Sequence, residues 1–334
     1  MKEIENLREK LSSFSKEKIR EQLDQWEELF RPDDECDFFR GGEEMPDFDP
    51  EQREFSSSNA WWLGELCRIS YTPDHKESSR KRNEDKPDRK LILKERSSFQ
   101  EIHSIHKTGN HASIFLWKSD SGKKGTVLCF RGTKKLRQWI MNMLFRPHNW
   151  ERFRKPDDTD AAFVHSGFYV FFKRVWPLLQ EELEQCPRPW IFTGHSLGGA
   201  LATIAGIVAE PESVYTFGSP KAGNRAFADL AAEEARFYHI RNSDDIVPLL
   251  PLPDEKLGEK QFDHGGNSFW LNESGEIQGG TPDAPASNMP FPINFAFSSE
   301  NLGKAPSWVR DHRIGRYCRK LQKLSVTSSG VSDH

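Results

Sequence analysis

The run WIFTGHSLGGALATIAG, Trp190 to Gly206, sets a serine between glycines where an apolar strand-like segment gives way to an alanine-rich helical one. Gly194-His195-Ser196-Leu197-Gly198 is a G-x-S-x-G turn with strand before and helix after, the context that motif requires. Such a turn holds its middle residue in strained backbone geometry, so the residues two positions away must be glycine. The helix behind it aims its first N–H groups, with their partial positive charge, back at the turn. A hydroxyl there suits acyl transfer: Ser196 attacks a carbonyl and the amide of Leu197 receives the developing oxyanion. The competing readings are a small residue fitted into a tight turn and a phosphate-binding loop. The second is weakened because no lysine follows in Walker spacing and no GxGxxG is present.

Acyl transfer also needs a base, a group that orients the base, and a second oxyanion donor. In hydrolases with this elbow the order along the chain is serine, acid, histidine. Downstream, RNSDDIVPLLP puts Asp244 and Asp245 on a loop after the strand-like RFYHI, and VRDHRIGRYC offers His312. A second histidine group, His103, His106 and His111, has no acidic or cysteine ligands at recognised metal spacing. These three are expected on the surface of a hairpin, with no metal bound.

The elements that must position these residues are short. GTVLCF at Gly125, WIFT at Trp190, VYTFG at Val214 and RFYHI at Arg236 read as apolar strands, with helical patterns between several of them. That alternation predicts an α/β fold with a predominantly parallel central sheet covered by helices on both faces. FQEIHSIHKTGNHASIFLWK predicts two strands around a turn at Thr108-Gly109-Asn110. NAWWLGELCRISY predicts the helix that opens the main domain, with Trp62, Leu66 and Ile69 on one face. Before it, residues 1–30 carry apolar positions at helical spacing and read as an amphipathic arm packed on the main domain, followed by an irregular connection to Ser58. The main domain is expected over 59–324 and a disordered tail over 325–334. The charges of 74–90 are mixed in sign and read as a solvated loop.

Composition removes some partners. In 334 residues, 47 Lys+Arg stand against 51 Asp+Glu for a formal charge of −4, too little basic field to point to nucleic acid. Five scattered cysteines without a CxxC pair argue against a disulfide framework or a zinc site. MKEIENLREK has no apolar h-region, which predicts a cytoplasmic protein. The most apolar long stretch, Ile191 to Ala209, is broken by His195, Ser196 and glycines, so any membrane contact is expected to be peripheral.

Several blocks, taken in order, resemble the class 3 lipase family of fungal-type triacylglycerol lipases and their bacterial and plant relatives. They are NAWWLGELCRISY, LCFRGTKKLRQWI, VHSGF, FTGHSLGGALA, YTFGSPKAGN, NSDDIVPLLP and DHRIGRY, between Asn59 and Tyr317. The resemblance implies an α/β-hydrolase fold without cofactor or metal, a Ser-Asp-His triad, and hydrolysis of carboxylic esters, commonly of lipids. Carried onto this chain it makes Ser196 the nucleophile, Asp245 the acid through its place before Ile246-Val247-Pro248, and His312 the base. Asp244 is the runner-up acid. Thr133 takes the first oxyanion position and Leu197 the second, while His264 resembles a family histidine outside the triad and reads as structural. His165 and His239 are expected to pack or hydrogen-bond.

The family places a mobile lid after Thr133, here residues 134–150, where Trp139, Ile140, Met143, Leu144 and Phe145 crowd together. Gln138 and Asn142 stand where the family often carries an acid. A second apolar stretch, Asn288 to Ser299, reads as a wall of an acyl pocket or a cover for the sheet. The alternatives to a hydrolase are an acyltransferase using the same residues and a non-catalytic lipid-binding protein on the same fold.

Overall fold

Strand-forming residues in this chain send alternate side chains into two different cores. In GTVLCF, Val127 and Cys129 join one buried cluster, and Leu128 and Phe130 join the other, following the two-residue period of a strand. Ile191 and Phe192, Val214 and Tyr215, and Phe237 and Tyr238 divide in the same way. A sheet buried on both faces requires such near-continuous apolar runs.

The computed structural model describes residues 37–72, 88–107, 110–132, 150–152, 162–234, 236–251, 261–280 and 307–329. The N-terminal arm, most of the charged loop of 74–90, Thr133, nearly all of the lid segment and the stretch from Asn288 to Ser299 lie outside the described residues. Helices α1 (Ser57–Ile69) and α2 (Arg89–Arg96) precede the strands β1 (Phe99–Lys107), β2 (Asn110–Lys118) and β3 (Lys124–Phe130). There follow β4 (Trp150–Arg152), β5 (Phe163–His165), α3 (Ser166–Glu184), β6 (Trp190–His195), α4 (Leu197–Ala209) and β7 (Ser213–Phe217). The chain continues through β8 (Gly223–Asn224), α5 (Arg225–Glu234), β9 (Arg236–Asn242), β10 (Phe262–Asp263), β11 (Asn267–Leu271) and β12 (Ile277–Gly280). Helices α6 (Ser307–Arg310) and α7 (Ile314–Ser329) complete the described residues.

The main sheet runs β1-β2-β3-β6-β7-β9-β11-β12. Its centre, β3 to β11, is parallel, and the edges are antiparallel. A second, antiparallel sheet runs β10-β8-β5-β4. Helices α3, α4 and α5 feed one core and α1 and α7 the other. The predicted hairpin is present as β1 and β2, which pair in antiparallel register. Among the described residues no helix is long and apolar enough to cross a membrane.

Two details depart from the sequence reading. The one-sided face predicted for α1 is too narrow, because the helix is buried all round: Trp61, Leu63, Glu65 and Arg68 are as inaccessible as Trp62 and Leu66. Its charges are accommodated locally, Arg68 bonding Glu65 (3.2 Å) and Asp37, and Glu65 accepting the Phe39 amide (2.9 Å). The segment that supplies Asp37 and Phe39 also buries Phe38, Met45 and Phe48 in the same core. At the other end, residues 325–329, expected in the disordered tail, are the last turns of α7. Ser325 is buried, donates to the Leu321 carbonyl (2.9 Å) and accepts from the Ser57 hydroxyl (3.0 Å), which ties α7 to the start of α1.

Candidate active site

Ser196 stands between β6 and α4 with φ 59° and ψ −129°, a conformation that side chains rarely adopt. The flanking glycines are sterically compelled. A Cβ on Gly194 would lie 2.2 Å from the Gly198 carbonyl oxygen, and one on Gly198 would lie 2.0 Å from that of Phe130 in β3. The turn is fastened from both sides, the Ser196 amide donating to Phe217 at the end of β7 (2.9 Å) and the Gly199 amide to Ser196 (2.9 Å). Leu197 opens α4, so its amide is one of the first-turn donors that a helix leaves without an intrahelical acceptor.

Asp245 follows β9, fully buried. Its Oδ1 accepts the Val247 amide (2.9 Å), which closes a short 3-10 turn at Val247–Leu249, and its Oδ2 accepts the Tyr317 hydroxyl (2.5 Å). His312 sits between α6 and α7 with Nδ1 2.8 Å from Asp245 Oδ2 and 3.0 Å from Oδ1. Burial alone would raise the carboxyl's pKa. The facing His312, followed by the hydrogen bonds from His312, Tyr317 and Val247, outweighs it and holds Asp245 below the usual carboxylate value. A carboxylate only accepts, so Nδ1 carries the imidazole proton and Nε2 keeps its lone pair. Tyr317 stays a donor, since burial and the adjacent carboxylate push its pKa well up.

The structure thus brings Asp245 and His312 together. Ser196 Oγ and His312 Nε2 are both buried, and neither has a hydrogen-bond partner among the described residues. The two atoms that would exchange a proton are present and unoccupied, and their mutual hydrogen bond is not closed, as is common before substrate binds. Asp244 turns elsewhere, its Oδ2 accepting the Ser307 hydroxyl (2.7 Å) at the start of α6. His264 places Nε2 2.8 Å from the Pro248 carbonyl, bracing the turn after Asp245, in keeping with a structural role. His239 meets Thr216 Oγ1 (2.8 Å), and His165 packs on Phe168. Among the described residues no group of three His, Cys, Asp or Glu is arranged to hold a metal.

Sequence reasoning passed over Tyr317 except as a landmark, and it assigned nothing to His195 or Tyr71. His195 Nδ1 lies 2.8 Å from the Tyr71 hydroxyl and its Nε2 2.8 Å from the His312 carbonyl oxygen. No local pattern marks such contacts, since Tyr71 and His195 are 124 residues apart.

Residues 127–255 match the class 3 lipases. The secreted mono- and diacylglycerol lipase 1 of Fusarium solani is 31% identical over 155 residues, covering 43% of this chain and 44% of the relative. The phospholipase A1-II 1 of Oryza sativa subsp. indica is 30% identical over 183 residues, covering 46% and 47%. This chain therefore spans just under half the length of these curated relatives. The solved structure of lipase II from Rhizopus niveus superposes with a TM-score of 0.51 at 26% identity, over 71% of this chain and 92% of that one.

The cytoplasmic expectation is corrected by these relatives, the Fusarium protein being secreted by name. Cys67, Cys129 and Cys318 are buried core residues that behave as small hydrophobes, so their free thiols report packing rather than compartment. The matched segment carries the elbow and the loop of Asp245, and over it this chain, with its α/β-hydrolase fold, is similar to the class 3 lipases.

Proposed function

We propose that the protein is a serine carboxylic ester hydrolase acting on lipid esters. Ser196 Oγ attacks the ester carbonyl carbon as His312 Nε2 takes its proton. The imidazolium so formed is stabilised by Asp245, whose carboxylate is held in place by Tyr317 and the Val247 amide. The Leu197 amide and Thr133 bind the oxyanion. The proton on His312 then passes to the departing alcohol oxygen, and water, deprotonated by the same nitrogen, releases the carboxylic acid from Ser196. Residues 134–150 serve as the lid, giving the protein its peripheral contact with a lipid surface.

The observation that carries this reading is the Asp245-His312 pair, tautomer fixed and Nε2 lone pair unused, buried together with an unpaired serine hydroxyl on a strained turn. Support comes from relatives named as acylglycerol lipases and as a phospholipase A1, both of which cleave carboxylic esters. The test is hydrolysis of a short-chain aryl ester followed through its solubility limit, with Ser196→Ala alongside. Serine-dependent turnover that rises sharply at the limit is expected, because several large apolar lid side chains cost roughly 1.5 to 3 kcal/mol each to expose unless a lipid surface covers them. Turnover that follows monomer concentration alone would remove the lid from the proposal. An active Ser196→Ala protein would remove the mechanism.

A further inference from the structure

The imidazole inside the elbow has no step in that chemistry, yet it touches the backbone of the base. His195 Nε2 is 2.8 Å from the His312 carbonyl oxygen, its Nδ1 is 2.8 Å from the Tyr71 hydroxyl, and the two histidine rings lie 4.6 Å apart. A carbonyl can only accept, so Nε2 must carry the His195 proton. Nδ1 is then a lone pair, and the Tyr71 hydroxyl must donate to it. The Tyr71 oxygen in turn takes a hydrogen bond from the Gly132 amide. Gly132 lies just beyond β3, one residue before Thr133. A Cβ at Gly132 would sit 2.2 Å from the Tyr71 hydroxyl and 3.2 Å from Ser196 Cβ, so the three groups occupy one close-packed point.

The chain Gly132 to Tyr71 to His195 to His312 therefore links the end of β3, the elbow and the turn that bears the base. That turn is gripped at two successive carbonyls. His195, ending β6, donates to the His312 carbonyl, and Asn242 Nδ2, ending β9, donates to the Asp311 carbonyl (2.8 Å). Those two strand ends also carry the nucleophile and the acid loop. The reaction requires that ring to be neutral, since a cation 4.6 Å from His312 would oppose the imidazolium formed there. Burial, together with the neighbouring His312, pushes the pKa of His195 down to about 3, so the ring is neutral at working pH.

We propose that Tyr71 and His195 are positioning residues for the reaction, fixing the main chain of His312 against the elbow so that its Nε2 faces Ser196. The proposal rests on the hydrolase reading above. Its alternative is that His195 only fills space beneath the turn.

The test compares His195→Asn, His195→Gln and Tyr71→Phe for kcat and KM on a soluble aryl ester and for the low-field NMR signal of the His312 Nδ1 proton. Glutamine carries an N–H donor at nearly the reach of imidazole Nε2, whereas asparagine stops at the level of Nδ1. His195→Asn should lose about 10²-fold in kcat, the scale of an ångström-sized misplacement of a reacting group, with little change in KM. His195→Gln should restore most of that loss. Tyr71→Phe should lose about tenfold, which corresponds to one ordinary hydrogen bond. The low-field proton should persist in the glutamine variant and broaden or vanish in the asparagine one.

Unchanged kcat in His195→Asn, or an equal fall in both His195 variants with the proton signal intact, would overturn the proposal. If His195→Asn does not fold, Tyr71→Phe decides, because it removes a single oxygen, and full activity there overturns the pair. A wild-type protein with no serine-dependent hydrolysis refutes the hydrolase reading instead, and the proton signal across the variants still tests the positioning.

Discussion

Replacing Asp245 by asparagine is expected to disable the site by moving one proton to the wrong nitrogen. In the native arrangement the carboxylate accepts from the Val247 amide (2.9 Å), the Tyr317 hydroxyl (2.5 Å) and His312 Nδ1 (2.8 Å). An asparagine must turn its one carbonyl oxygen toward Val247, because a backbone amide can only donate. Its NH2 group then faces His312 and Tyr317. The tyrosine hydroxyl can rotate to accept. The imidazole can accept at Nδ1 only by carrying its proton on Nε2, and there it can no longer take the proton of Ser196. A wrong-tautomer penalty of this kind is about 10⁴-fold in kcat, or about 5.4 kcal/mol of barrier. The side chain keeps its volume, so the fold should persist, with a stability loss of about 1 to 3 kcal/mol from the charge-assisted bonds. The assay is kcat on an aryl ester below its solubility limit, with urea unfolding to confirm the fold. Asp244→Asn is the companion, because Asp244 bonds Ser307 rather than His312, and it should lose less than about tenfold. A folded Asp245→Asn protein that keeps more than about a tenth of wild-type kcat, or a larger loss in Asp244→Asn, would refute the assignment of the acid.

Two further outcomes follow from the same geometry. Ser196 holds φ 59° with a Cβ, so Ser196→Gly should be about 1 kcal/mol more stable than Ser196→Ala in urea denaturation, since only glycine relieves the turn. Both should be inactive, and an alanine variant at least as stable as the glycine one would show that the turn stores no strain. The second outcome concerns pH. Burial first, and then neighbouring charge for His195 and His264, holds His195 at about 3, His239 at about 4 and His264 well below the usual histidine value. The unfolded chain takes up these protons near pH 6.5 while the folded state refuses them, so stability present above that pH falls as the pH drops toward 4. Each ring contributes a slope of up to about 1.4 kcal/mol per pH unit. Unfolding free energies at pH 7, 6 and 5 should show His239→Gln with a shallower fall than the wild type, and an identical slope would mean that His239 is protonated in the fold.

How much of this site the sequence discloses depends on whether a residue's requirement is local. Gly194 and Gly198 are legible because each would collide with backbone only a few residues along the turn or in the adjoining strand, so the motif itself encodes the steric need. The parallel strands are legible because burial on both faces leaves no room for alternation. Asp245 is separated from Asp244 by its own neighbour, since the Val247 amide two residues on is what its side chain caps. Helix α1 misleads for the opposite reason: Glu65 and Arg68, three apart, look like a solvated face until Asp37 and the Phe39 amide arrive from outside the helix. The end of α7 misleads likewise, because the serine that marks a tail in composition is held by Ser57 across the fold.

The support of the base is the extreme of this second kind. The residue between glycine and serine in the elbow is free by the motif's own rule, and the tyrosine that meets its Nδ1 follows an unrelated helix, α1, far away in the sequence. A chain that kept GHSLG, Asp245 and His312 but carried leucine at position 71 would present the same motifs. It would leave the His195 Nδ1 lone pair and the Gly132 amide buried without their shared hydroxyl, a cost of about 1 to 3 kcal/mol for each group. Rotation of the ring to recover a partner would release the carbonyl of His312. Reactivity in such a chain would thus be set by a residue that neither the triad nor the oxyanion hole includes, which is why motif identity alone does not fix the rate.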